Sequence, residues 1–155
     1  MEDLQQISRE AVDGNQFTLH NFMELELAEP DRAVFRLTVR PESRNPYGMV
    51  HGGAMYTLAD DATGVAAHSD GRHYVTQNGS LNFLKNQPGG IIRAEAKVRH
   101  RGRTTCLVDV DITGENGVLL ATGGYESNPN MVESWCRPED YKGCCVYAPN
   151  SGNTG

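Results

Sequence analysis

From Gly53 to about His68 the chain is apolar on nearly every face, with Ala54, Met55, Leu58, Ala59, Ala62, Val65 and Ala66 leaving no broad polar stripe. A helix of this kind has little surface to offer water and belongs in the middle of its fold. It needs a cover, and the rest of the sequence supplies strands. Ala33, Phe35, Leu37 and Val39 alternate with Val34, Arg36, Thr38 and Arg40. Ile92, Ala94, Ala96 and Val98 alternate within 91–101, and Cys106, Val108, Val110 and Ile112 within 104–113. Period two of this kind marks half-buried strands. Further strands are expected over 17–26, 74–84 and from Val118 to about Gly124, with a hairpin at Glu115-Asn116-Gly117 and a short first helix from Leu4 to about Asn15. Links of hairpin length make an antiparallel sheet. The predicted class is α+β, an antiparallel sheet wrapped around one long central helix.

At 155 residues the chain is expected to form one domain over 1–126, followed by a partly disordered tail over 127–155 rich in Asn, Pro, Ser and Gly. Fourteen Lys and Arg against 20 Asp and Glu give a net charge of −6, which argues against a nucleic-acid partner. No apolar run approaches the roughly 18 residues of a membrane span. The opening Met1-Glu2-Asp3-Leu4-Gln5-Gln6 is acidic and polar, unlike a signal peptide, so the expectation is a cytoplasmic protein without a membrane partner. Cys106, Cys136, Cys144 and Cys145 show neither a disulfide framework nor a metal-binding spacing, and no metal site is expected.

The chemistry-bearing stretch is Asn45-Pro46-Tyr47-Gly48-Met49-Val50-His51-Gly52-Gly53, which runs into the apolar helix carrying Asp60. A helix start offers free backbone N–H groups and the positive end of the dipole, suited to an oxyanion. Gly52 and Asp60 are eight positions apart, about 12 Å along one helix axis. They cannot act on one carbonyl within a chain. Two such helices, antiparallel about a two-fold axis, would bring Gly52 of one subunit to Asp60 of the other.

The string Asn-x-x-Gly-x-x-His-Gly-Gly-x-x-x-x-Leu-x-Asp, from Asn45 to Asp60, together with Thr76, Phe83-Leu84 and the Gly102-Arg103 turn, resembles the hotdog-fold thioesterases. Within them the chain is similar to the phenylacetate-degradation type of acyl-CoA thioesterase, related to the 4-hydroxybenzoyl-CoA thioesterases. The resemblance covers roughly residues 17–126. It implies a hotdog fold and a homodimer or homotetramer with sites at the dimer interface. It also implies hydrolysis of an acyl-CoA thioester without a cofactor. By the same resemblance the Gly52 N–H polarises the carbonyl, and Asp60 from the other subunit is nucleophile or general base. Asn45 positions water or the carbonyl, and His51 shapes the helix start and contacts the thioester side. The sequence departs from the pattern after Phe83-Leu84, where Lys85 is followed by Asn86 rather than by Pro.

Other residues divide between chemical and structural readings. Gly53 is read as substrate-binding at the helix start or as part of an ordinary turn into the helix, and Thr76 and Asn78 either line the site or fill a strand. Asp61, adjacent to Asp60 and about 100° round the helix, is taken as a solvated or salt-bridged neighbour. Arg99, Arg101 and Arg103, with His100, read equally as a solvated hairpin end and as a dock for coenzyme A phosphates. His20, His68 and His73 look like surface residues. Two rivals accompany the hydrolase reading. A non-catalytic acyl-CoA-binding hotdog domain would not need both Gly52 and Asp60. A hotdog dehydratase would need a His within the helix, and none precedes His68.

Overall fold

The computed structural model describes residues 4–115 and 117–121. Helices α1 (Leu4–Asp13) and α2 (Gln16–His20) precede strands β1 (Met23–Glu29) and β2 (Arg32–Thr38). The long helix α3 (Gly52–His68) follows, then β3 (Asn82–Phe83), β4 (Ile91–Arg101), β5 (Cys106–Gly114) and β6 (Gly117–Ala121). The strands form one antiparallel sheet in the order β1-β2-β4-β5-β6-β3.

The sheet wraps α3, which packs chiefly on β2, β4 and β5. Met55, Leu58, Ala59, Ala62 and Ala66 of α3 meet Phe35 and Leu37 of β2, Ile92, Ala94 and Ala96 of β4, and Val110 and Ile112 of β5 in one core. The alternating residues picked out in the sequence are those that point inward. Five of these twelve are alanines, which lets the sheet approach the helix closely while the larger side chains fill the space between them.

Two elements differ from expectation. The stretch 17–26 is not one strand. Asn15 Oδ1 accepts from the N–H groups of Phe17 (3.1 Å) and Thr18 (3.3 Å), capping the short helix α2. The chain then passes Phe22 at φ 59 before β1 begins at Met23. An N-cap satisfies two orphan N–H groups at once, and here it prevails over the weak alternation of the sequence. The strand expected over 74–84 is described only at Asn82–Phe83, paired to Ala121 and Leu120. Residues 74–81 carry no strand pairing among the described residues, and the last strand expected to about Gly124 passes outside the described residues after Ala121. The same holds for the tail expected over 127–155 and for Cys136, Cys144 and Cys145. No helix among the described residues is long and apolar enough to cross a membrane.

Candidate active site

The loop before α3 is built by side-chain and backbone hydrogen bonds. Asn45 Oδ1 accepts from the N–H groups of Tyr47 (2.9 Å) and Met49 (3.2 Å), while Asn45 N donates to Met49 O (2.8 Å). Gly48 sits at φ 75, a conformation that side chains with a Cβ resist. Asn45 is therefore a turn former, as its place before Pro46 suggests, with its side-chain amide NH₂ meeting no acceptor among the described residues. Asn86, the departure noted in the sequence, has a clear task. Its side chain donates to Val50 O (2.9 Å), and Val50 N donates to Gln87 O (3.0 Å). Together they pin the loop one residue before the helix cap.

His51 is that cap. Its Nδ1 accepts from Gly53 N (2.9 Å), and its carbonyl accepts from Ala54 and Met55. A Cβ on Gly53 would lie 3.0 Å from His51 Nδ1, so glycine gives the ring its place. The Gly52 N–H, at the first helical position, has no acceptor among the described residues. It opens on a cleft of about 480 Å³ lined by Asn45, Val50, Met55 and the segment 83–86.

Asp60 lies two turns on, and none of its surroundings is shared with that cleft. Thr76 Oγ1 donates to Asp60 Oδ1 at 2.7 Å. Both residues line a separate cavity of about 540 Å³ between α1, the 60–68 side of α3 and the segment 71–76. The structure thus joins Asp60 to Thr76 and keeps it apart from Gly52, Asn45 and His51, as the distance argument requires.

Asp61 corrects the sequence reading. It is half-buried and makes no salt bridge among the described residues. Thr18, 1% exposed, donates to Asp61 Oδ2 at 2.9 Å, and Asp61 lines the same cavity. Burial pushes its pKa up to about 6, and the neighbouring Asp60 charge adds to the rise while the Thr18 hydroxyl opposes it. Neither Thr18 nor α2 announced this in the sequence, because the contact spans 43 positions.

The basic cluster separates on inspection. Arg101 is largely buried, donating to Ala67 O (2.7 Å) and Tyr74 OH (3.0 Å) and pairing with Asp70 (2.9 Å) and Asp31 (2.5 Å). It clamps the C-terminal end of α3 to the β1–β2 turn, which weighs against a role in holding phosphate. Arg99 pairs with Asp109. Arg103 is exposed, and its guanidinium meets no partner among the described residues. Asn78 lines a smaller cavity with Thr63, Thr76 and Thr105. His68 is engaged through both ring nitrogens, with Gly64 O (2.7 Å) and Tyr74 N (3.1 Å).

Residues 47–121 match the family model described as Thioesterase superfamily. Over 90 residues the chain is 33% identical to the acyl-coenzyme A thioesterase PaaI of Escherichia coli, a match covering 57% of this chain and 64% of that protein. It thus spans just under two thirds of that relative's length. A solved structure of the E. coli PaaI protein superposes with a TM-score of 0.74 at 24% identity, covering 78% of this chain and 89% of that one, a likeness of fold. A putative esterase of Mycobacterium tuberculosis is 31% identical over 100 residues, covering 61% of this chain and 71% of that protein. A hypothetical thioesterase of Streptococcus pneumoniae, solved with coenzyme A, superposes with a TM-score of 0.60 at 32% identity, covering 70% of this chain and 93% of that one.

Proposed function

The chain belongs to the thioesterase superfamily, and from that premise we propose that it is an acyl-CoA thioesterase whose sites are shared between the subunits of a homodimer. Its fold is the hotdog, sheet around helix. In the reaction a thioester and water give a carboxylate and free coenzyme A. The Gly52 N–H, at the positive end of α3, receives the carbonyl oxygen as it gains charge. Asp60 of the partner subunit attacks the carbonyl carbon or takes the proton of the water that does. Thr76 holds one carboxylate oxygen and leaves the other for that work. The Asn45 amide faces the same cleft as Gly52 and orients water or carbonyl.

The observation that carries this reading is the division of labour at the start of α3. His51 takes the Gly53 N–H, and the Gly52 N–H is without an acceptor among the described residues. A free N–H at the first helical position is common to helices; what is particular here is that this one lines a cleft together with Asn45. The two-subunit arrangement is supported by the separation of the Gly52 cleft from the Asp60 cavity. Phe83 and Leu84, apolar and exposed in the wall of that cleft, support it further. The name of the E. coli relative and the coenzyme A held by the Streptococcus neighbour support the substrate class. Incubation with a panel of aryl, short, medium and long acyl-CoAs, with detection of free thiol, tests the proposal. Release from at least one is expected. Binding without release from any would leave the non-catalytic reading in its place.

A further inference from the structure

The cavity beside Asp60 holds a polar group that the mechanism does not use. Ser8 of α1 is 8% exposed, lines this cavity, and its hydroxyl meets no partner among the described residues. Other polar side chains of the wall differ in this respect, Asp60 and Asp61 each accepting from a threonine hydroxyl and His68 using both ring nitrogens. A buried hydroxyl without a partner is unfavourable and rare in a folded chain, unless something that enters the site pairs with it.

The direction of α1 places this hydroxyl. Gln5, in its first turn, accepts from Ala28 N near the end of β1. The following turn reaches the end of α3 through Asp31 N, which donates to Ser69 Oγ (2.9 Å). At the other end, Thr18 reaches Asp61. So α1 and the 60–68 half of α3 flank the cavity with the start of α1 toward the C-terminal end of α3, and Ser8, one turn from that start, is set toward the end away from Thr18 and Asp61. An acyl group whose thioester stands at Asp60 would extend along this wall, past Ala11 and Val12, toward Ser8. The volume, about 540 Å³, is that of a small-molecule pocket.

We propose that Ser8 is a specificity-determining residue of the thioesterase site, its hydroxyl pairing with an oxygen at the far end of the acyl group. The proposal rests on the reading of the cavity as part of an acyl-CoA site. It favours acyl groups that end in a hydroxyl over plain alkyl groups of the same length, because the plain group leaves Ser8 unpaired.

Binding of non-hydrolysable acyl-CoA thioethers, measured by calorimetry, tests this without relying on turnover. The probes are a ladder of straight-chain acyl groups, each with and without a terminal hydroxyl. At one chain length the hydroxylated member should bind about five- to tenfold tighter. Ser8→Ala should bring that ratio close to one by weakening the hydroxylated member, with the plain member bound as before. Ser8→Thr, which keeps the hydroxyl, should retain the preference. Thioethers that bind with no hydroxyl preference at any length, or with a preference unchanged in Ser8→Ala, would overturn the proposal and leave the acyl-CoA reading standing. No binding of any thioether would overturn both. A Ser8-dependent preference without hydrolysis of the matching thioesters would keep the proposal and remove the enzymatic step.

Discussion

Asp60 and Asp61 are neighbours in sequence with different surroundings. Thr76 holds Asp60 from the segment 71–76, and the buried Thr18 holds Asp61 from α2. The apolar character of α3 made one carboxylate conspicuous in the sequence. Which of the two is engaged by which element depends on contacts 16 and 43 positions away, beyond any local pattern. The raised pKa of Asp61 has a consequence for stability. The folded protein holds this proton up to about pH 6, while the unfolded chain gives it up near 3.8. Stability from this group is therefore full below pH 3.8 and is lost as pH rises through 6. At pH 7 the ionised Asp61 is a cost. Asp61→Asn, which keeps an oxygen for Thr18, should stabilise the fold at pH 7 by about 1 kcal/mol, a value reduced for the part of the side chain that faces solvent. The gain should disappear by about pH 3.5. Urea titrations of both proteins across that range check it, and a gain equal at both ends would contradict it.

At the scale of elements, period and composition were enough for the main architecture. The buried face of α3 and the inward residues of β2, β4 and β5 were legible because both depend on local alternation of apolar and polar side chains. The helix α2 was not, since five residues carry no period and the Asn15 cap decides them. The start of α3 was legible as a chemical motif. The task of Asn86 in fixing it was not, because that residue acts across 36 positions on a backbone carbonyl. The hairpin cluster shows the limit of reading charge from sequence. Arg99, Arg101 and Arg103 look equivalent on paper, yet only Arg103 has a guanidinium without a partner among the described residues. If the cluster meets coenzyme A phosphates, Arg103 carries the contact. Arg103→Gln should raise KM for an acyl-CoA about two- to fivefold with kcat nearly unchanged, and the effect should shrink at high salt. It should be absent on a short pantetheine thioester lacking the nucleotide. Equal KM changes on both substrates would assign Arg103 to the hairpin alone.

At the scale of the whole molecule, the account requires two chains. Each holds a Gly52 donor at one end of α3 and an Asp60 carboxylate about 12 Å along it, and neither half completes a site by itself. Mixing two inactive variants tests this most directly. Asp60→Asn removes the base and should lower turnover by about 10²–10⁴. Gly52→Pro removes the N–H while suiting the first position of a helix, and His51 at φ −68 and ψ 134 already has the extended backbone that a following proline prefers. After subunit exchange at equal concentrations, hybrids should carry one intact site each, so thiol release from an acyl-CoA should return to about a quarter of the wild-type rate. Release that stays at the level of the separate variants, with exchange shown by mass spectrometry, would contradict the shared site.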